Sequence, residues 1–152
     1  MPLTRLFTYD AWANAEALRS LRAMPAPPPF ALGWLAHIVG AQEVWWGRLQ
    51  DPVVPAEIWP QLTITECALR LDEMAGRWRA LFATVGPGGL ERPLDYANSR
   101  GERFSTPLGD VLMHVVMHGV YHRGQIATAV RAAGGVPAVT DYIHAVRMGE
   151  LE

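Results

Sequence analysis

Hydrophobic residues recur at helical spacing along four long segments of the chain, and clusters of proline or glycine separate these segments. The second segment is apolar almost all round, a pattern typical of a helix that lies at the centre of a fold or against another subunit. A short fifth helix is predicted near the C-terminal end. The predicted helices cover about Thr4–Arg22, Pro29–Leu49, Thr63–Val85, Pro107–Ala133 and Asp141–Met148.

The residues at three of the predicted helix starts are typical of caps. Thr4 and Thr106 are predicted to be N-cap residues of the first and fourth helices, with Pro107 in the first turn of the fourth. Thr63 and Glu66 have the spacing of a capping box at the start of the third helix. These side chains can accept hydrogen bonds from the first N–H groups of a helix, which have no partner within the helix.

The stretch before the fourth helix, PLDYANSRGERFS, has a different pattern. Two short extended pieces flank a turn that contains Asn98 and Gly101, which predicts a small β-hairpin. The link between the second and third helices, QDPVVPAEIWPQ, is predicted to be a proline-rich loop. The predicted fold class is therefore all-α: a four-helix bundle with a small β-hairpin before the last long helix, in a single domain over residues 1–152.

Composition and charge exclude several classes of function. The 152 residues carry a formal net charge of -2 and no basic run, so the chain has no electrostatic footprint for nucleic acid. No apolar stretch is long enough to span a membrane, and charges interrupt the N-terminal segment, so we expect no signal peptide and a cytoplasmic location. All 13 basic residues are arginine, which excludes lysine Schiff-base chemistry. Cys67 is the only cysteine, which excludes an intrachain disulfide and a thiolate-rich metal site.

Three of the five histidines lie four residues apart within MHVVMHGVYHRGQ, residues 113–125. Residues four apart lie on one face of a helix, so two such imidazoles can reach one ion. All three span about 12 Å along the helix axis, which is too far for one ion to bind them all. On a helical wheel His118 and His122 point most nearly towards the core, whereas His114 lies on the flank. The predicted chelating pair is therefore His118 with His122.

A metal site built on this pair needs a further ligand, because zinc takes three or more protein ligands. His37 is the strongest candidate, since it lies in an apolar helix where its polar atoms need a partner. His144, near the C-terminal end, is expected to be exposed. Three histidines with open positions are typical of catalytic zinc sites, and imidazole also suits nickel, copper and iron. Hydrogen-bonded core histidines are the alternative interpretation.

Three motifs along the chain, YDAWAN, LGWLAHIVGAQEVWWGRL and HVVMHGVYHRGQIATAVRAAGGVPAVTDYI, together resemble those of the DinB/YfiT-like family of proposed metalloenzymes. The resemblance implies a four-helix bundle that holds one divalent metal ion on His37, His118 and His122. It also implies a homodimer and, for some members, thiol-dependent transfer with bacillithiol or mycothiol, or a related isomerisation. Zinc is the expected metal, with nickel or iron as alternatives.

Four further polar residues have two interpretations each. His114, Glu43 and Asp110 can orient the candidate ligands by hydrogen bonding, and Arg123 can hold an anionic group of a substrate. The alternatives are a flank position for His114, ordinary surface charges for the two acids, and a structural ion pair for Arg123. The sequence slightly favours the ion pair.

Aromatic residues and the single thiol complete the candidates. Tyr9, Trp12 and Trp45 are pocket candidates, and the alternative is that they belong to an aromatic core. Cys67 lies near a helix N-terminus, where a thiol can be activated. Its place on the apolar stripe of the third helix favours a small buried hydrophobe instead.

Two functions are consistent with these residues. One is a metal-dependent enzyme that activates a low-molecular-weight thiol or water, for transfer to a small electrophilic molecule or for its hydrolysis. The other is a non-catalytic dimeric module that holds a metal or a small ligand, as a stress-related sensor or scaffold.

Overall fold

The computed structural model describes residues 2–50 and 57–151, which form helices and one two-stranded antiparallel sheet. The elements are, in order, α1 (Leu3–Arg22), α2 (Pro29–Gln50), α3 (Ile64–Thr84), β1 (Pro93–Ala97), β2 (Arg103–Pro107), α4 (Leu108–Ala132) and α5 (Tyr142–Arg147). The mostly helical architecture and the hairpin before the last long helix are as predicted. Half of the predicted loop QDPVVPAEIWPQ, residues 51–56, lies outside the described residues. Within the described ranges, no helix is both long and apolar enough to cross a lipid bilayer.

Apolar faces hold the four long helices together. α4 packs against both α1 and α2, and α3 packs against the same two helices. α2 is buried along much of its length, including Leu35, Ile38 and Val39, as its all-round apolar pattern predicts. Full burial of one such side chain contributes about 1.5–3 kcal/mol, so this helix is a major source of stability.

The starts of α3 and α1 differ in how well the sequence predicted them. The capping box is confirmed, because Thr63 Oγ1 accepts from the Glu66 N–H at 3.2 Å and the Glu66 carboxylate accepts from the Thr63 N–H at 2.8 Å. The prediction that Thr4 caps α1 is wrong. α1 begins one residue earlier than expected, so Pro2 is its N-cap residue and Thr4 lies within the helix.

The hairpin, rather than a threonine cap, defines the start of α4. β2 extends to Pro107, so Thr106 lies in a strand and Pro107 becomes the N-cap residue, and the prediction of Thr106 as a cap is wrong. The N–H of Leu108 instead donates to the carbonyl of Arg92, just before β1, at 2.9 Å. The predicted turn is confirmed, and Gly101 in it has φ 80°, which glycine adopts readily. The hairpin thus anchors the N-terminal end of the helix that carries three histidines.

Candidate metal centre

Three histidines from two helices meet at the interface of α2 and α4. One ring nitrogen from each of His37, His118 and His122 lies within 4.8 Å of the other two. The ring centroid of His37 lies 4.9 Å from that of His118 and 4.6 Å from that of His122. The structure therefore brings together the three residues that the sequence singles out as ligands. Three groups of this kind can hold one metal ion.

Hydrogen bonds orient two of the three rings. His37 Nδ1 lies 2.8 Å from the carbonyl oxygen of Ile58, and His122 Nδ1 lies 2.5 Å from Oε1 of Gln125. Both partners are acceptors, so we assign the ring proton of each histidine to Nδ1, which donates it. This tautomer leaves Nε2 with a free lone pair, which is the arrangement that a metal-binding histidine needs.

A glycine allows the segment that carries Ile58 to lie against α2. A Cβ atom at Gly40 would lie 2.7 Å from the backbone oxygen of Glu57 and 2.8 Å from that of Ile58. Because glycine has no Cβ, the segment can approach closely enough for its carbonyl to reach His37 one turn earlier in the helix. Gly40 is therefore part of what positions the cluster, although it touches no ligand.

His118 and His122 face each other across one turn of α4. Nε2 of His118 and Nε2 of His122 are 3.1 Å apart. Since His122 is protonated on Nδ1, its Nε2 can only accept, and a neutral His118 satisfies the contact by donating from Nε2. A cation between the two nitrogens can take the place of that proton. Two ligand nitrogens at about 2.0–2.1 Å from one tetrahedral ion are roughly 3.3 Å apart, which is close to the observed spacing.

Burial keeps two of the candidate ligands, His37 and His118, uncharged near neutral pH. Desolvation, together with the neighbouring His122, His37 and His114, lowers the pKa of His118 to about 3. Desolvation also lowers the pKa of His37, and the hydrogen bond from the ring to Ile58 only partly opposes it. Neutral imidazole is the form that binds metals, so protons compete weakly for these two nitrogens near neutral pH.

Two tryptophans that the sequence did not single out for the site cover the rings. Trp34 stacks on His122 with ring centroids 4.6 Å apart, and Trp59 stacks on His37 at 3.8 Å. The two indoles meet edge to face at 5.0 Å. Trp34 lies one turn before His37, so helical spacing alone could have indicated it. Trp59 comes from the segment after α2, where no periodic signal exists.

The remaining polar candidates lie in different places. His114 lies on the exposed flank of α4, as predicted, with its ring 5.7 Å from that of His118. Glu43 forms an ion pair with Arg70 of α3 at 3.3 Å rather than a hydrogen bond to a histidine. Asp110 is exposed, which agrees with its interpretation as a surface charge.

The aromatic candidates on α1 lie in a group away from these rings. Tyr9 is buried and its hydroxyl donates to the carbonyl of Thr140 at 2.7 Å. Its ring lies 6.3 Å from Trp12, which in turn lies 6.2 Å from the ring of His144. The expectation that His144 is exposed is wrong, because this aromatic group covers part of it.

The single thiol is structural. Cys67 is fully buried in the apolar cluster that includes Leu35 and Ile126. Desolvation raises the pKa of Cys67 to about 11, so its thiolate is scarce at neutral pH. The interpretation as a small buried hydrophobe is confirmed over that of a nucleophile.

Arg123 belongs to a buried polar network beside the histidines. Its Nη1 donates to Asp10 Oδ1 at 2.7 Å and to Asn14 Oδ1 at 2.6 Å. Asp10 Oδ2 accepts from the amides of Asn14 and Gln42, each at 2.9 Å. Burial raises the pKa of Asp10, while Arg123 and the two amides act in the opposite direction. The structural ion pair, which was the slightly favoured interpretation of Arg123, is confirmed.

A glycine in the histidine motif makes room for this network. A Cβ atom at Gly119 would lie 2.5 Å from Asp10 Oδ1 and 2.8 Å from Arg123 Nη1. The sequence did not identify Asp10 or Gln42 as partners, because they lie on other helices and polar residues are common there. The one local signal was the spacing of Asp10 and Asn14, which places them on the same face of α1.

The comparisons with known proteins identify the family of the chain. The DinB family model matches residues 3–150 of the chain. Protein DinB of Bacillus subtilis (strain 168) is 30% identical over 157 residues, in an alignment that covers 91% of this chain and 90% of that protein. No solved structure matches significantly. The family resemblance of the sequence motifs is thus confirmed, and the chain belongs to the DinB family.

Proposed function

We propose that this protein binds one divalent metal ion through His37, His118 and His122 and acts as a metal-dependent enzyme on a small electrophilic molecule. The meeting of three imidazoles at the α2–α4 interface is the observation that carries the proposal. Zinc is the proposed metal, with nickel or iron as alternatives. We further propose a four-helix bundle in one domain over residues 1–152, working as a cytoplasmic homodimer.

The donor set fits such an ion. Neutral imidazoles suit zinc, nickel and ferrous iron, whereas magnesium and calcium prefer oxygen ligands. The lowered pKa values of His37 and His118 keep these ligands uncharged near neutral pH. Ile58 and Gln125 hold two of the rings with Nε2 free, as the partners of metal-binding histidines commonly do.

Three protein ligands leave at least one coordination position open, which is typical of catalytic sites. When bound, a divalent ion supplies Lewis acidity, which lowers the pKa of a coordinated thiol or water. The residues of the chain hold and shield the site. Trp34 and Trp59 cover two of the ligand rings and keep water from their faces. Half-buried His118 leaves a side of the cluster accessible to a small molecule.

A thiol-transfer assay with metal analysis tests this proposal. Zinc-loaded protein is mixed with a panel of small electrophiles, either with several low-molecular-weight thiols or in water alone, and loss of the electrophile is followed. We expect turnover that requires the metal and is lost in His118→Ala. Arg19→Gln, which changes an exposed residue of α1, is the matched control and retains turnover.

The outcomes separate the two candidate functions. A protein that holds one metal ion per chain and gives no turnover with any thiol or with water is the non-catalytic module. A wild-type protein that holds no stoichiometric metal under metal-replete conditions contradicts both functions.

A further inference from the structure

Arg48 is a half-buried cation near the end of α2, stacked on two aromatic rings. Its guanidinium carbon lies 4.3 Å from the centre of the Trp45 ring and 5.1 Å from that of Tyr96. Among the described residues, no carboxylate pairs with it, and the ion pairs of this part of the chain involve other arginines. Within the part of the chain that the structure describes, aromatic contacts therefore hold the charge of Arg48 in place and no carboxylate neutralises it.

Within residues 2–50 and 57–151, its N–H groups also have no hydrogen-bond partner. A guanidinium has five N–H donors, and stacking on aromatic faces uses none of them. Burial lowers the pKa of Arg48, as expected where a charge has lost part of its hydration. Tyr96, whose hydroxyl lies 3.4 Å from Thr106 Oγ1 in the hairpin, helps to keep the guanidinium in one position. A fixed, dehydrated guanidinium is well suited to bidentate binding of a carboxylate or phosphate.

A row of rings connects Arg48 to the histidine cluster. The Trp45 ring lies 5.5 Å from that of His114, which lies 5.7 Å from that of His118. His37, Trp45 and Arg48 lie within about 80° on the wheel of α2, and along the helix axis Trp45 lies about 12 Å and Arg48 about 16 Å from His37.

We propose that Arg48 is an anion-binding subsite, which takes the carboxylate or phosphate of an elongated small molecule whose other end reaches His37, His118 and His122. The inference deepens the proposed function, since it names the class of molecule that the site takes. A single small anion such as acetate cannot span the distance. A molecule of tripeptide size, with an anionic group at one end and a thiol or other ligand group at the other, can do so.

Chemical labelling of wild-type protein tests whether an anion occupies Arg48. Phenylglyoxal modifies accessible guanidines, and peptide mass spectrometry reads the modification at each arginine. The probes are mercaptooctanoate, with thiol and carboxylate at opposite ends of an eight-carbon chain, and the neutral mercaptooctanol. We expect the carboxylate, and not the alcohol, to slow labelling of Arg48, while exposed Arg22 is labelled equally in both. Equal labelling of Arg48 with both probes overturns the proposal.

Two substitutions separate the charge of Arg48 from its packing. Calorimetric titration measures the dissociation constants of both probes for wild type, Arg48→Lys and Arg48→Gln. We expect wild type to prefer the carboxylate by about tenfold, as a charge-assisted hydrogen bond implies. Arg48→Lys retains part of the preference, and Arg48→Gln loses it. Arg22→Gln is the matched control and keeps the full preference. A preference that survives in Arg48→Gln contradicts the subsite.

The metal-free protein distinguishes failure of this inference from failure of the proposed function. Octanoate and octanol have no thiol, so their effect on Arg48 labelling does not depend on a metal. If the protein binds no metal but octanoate still protects Arg48, the proposed function fails and the subsite stands. If the metal binds and neither carboxylate protects Arg48, the subsite fails alone.

Discussion

Two polar clusters lie side by side in this fold, and they differ in charge balance. In the network of Asp10 and Arg123, a carboxylate faces a guanidinium at 2.7 Å, and both side chains are almost completely buried. In the histidine cluster, three imidazoles meet without an opposite charge, and His118 is only half-buried. His122 and Arg123 are neighbours in the chain, so one helix, α4, contributes to both.

The difference in charge balance indicates different roles for the two clusters: the Asp10–Arg123 network stabilises the fold, and the histidine cluster can bind a cation. Burying a charged group is costly unless an opposite charge and hydrogen bonds compensate it, and Asp10 has both. That network ties α1, α2 and α4 together, and the Asp10 carboxylate accepts three hydrogen bonds within it. In the histidine cluster, His118 Nε2 shares a proton with His122 Nε2, and a cation can take the place of that proton. Removal of a residue from the first cluster should therefore affect stability, and removal from the second should affect binding.

The largest effect on stability is expected for Asp10→Ala. The substitution leaves the buried charge of Arg123 without a partner and removes the acceptor of two amides, so we expect a loss of about 3–5 kcal/mol in the free energy of unfolding. Urea unfolding followed by circular dichroism measures it. Asp95→Ala, at an exposed position of β1, is the control and changes the free energy by less than about 0.5 kcal/mol. A similar small loss for Asp10→Ala would show that the ion pair is not structural.

Two glycines of α4 give a matched pair with a smaller effect. Gly119→Ala places a methyl group against Asp10 and Arg123, so we expect a destabilisation of about 1–3 kcal/mol. Gly124→Ala meets no atom within 4 Å and lies in the same helix, so we expect a stabilisation of about 0.5–1 kcal/mol. Urea unfolding of both variants checks the contrast. Equal effects at the two positions would contradict the close packing at Gly119.

The stability of the metal-free protein is expected to depend on pH, because burial in the cluster lowers the pKa of His118. His118 has a pKa of about 3 in the folded chain against an ordinary 6.5. At a pH between these two values, His118 is protonated in the unfolded chain and neutral in the folded chain. Stability is therefore full above pH 6.5 and falls as the pH drops, by up to about 1.4 kcal/mol per pH unit for this one proton. The lowered pKa of His37 adds in the same direction.

Urea unfolding at a series of pH values checks this slope, with His118→Gln as the control. The variant has no imidazole at this position, so its stability should fall less steeply with acid than that of wild type. Parallel curves for the two proteins would show that His118 titrates like an ordinary exposed histidine.

The features that the sequence predicted well depend on local pattern. The helical spacing of hydrophobic residues and the apolar content are properties of a single segment. The helices, and the side of α4 on which His118 and His122 lie, could therefore be predicted from the sequence of each segment. The capping box at Thr63 and Glu66 is local in the same sense. His37 was found because a histidine in an all-round apolar helix needs a partner, wherever that partner lies in the chain.

The features that the sequence missed depend on contacts between distant segments. Thr106 has the right residue type for a cap, but strand pairing in the hairpin extends over it and moves the helix start. Asp10 is an ordinary helix residue until α4 places Arg123 beside it. The carbonyl of Ile58 carries no residue-type signal at all, since every backbone carbonyl can accept a hydrogen bond. Such partners follow from the packing and not from the pattern.

The most direct test of the account is a zinc titration of the metal-free protein in competition with a chromophoric chelator. It measures the number of ions bound per chain and their affinity. We expect one zinc ion per wild-type chain and a loss of zinc affinity of at least about a hundredfold in His37→Ala, His118→Ala and His122→Ala. We expect wild-type affinity in His144→Ala. Wild-type protein that binds no zinc, or a His118→Ala variant that binds it as tightly as wild type, would contradict the account.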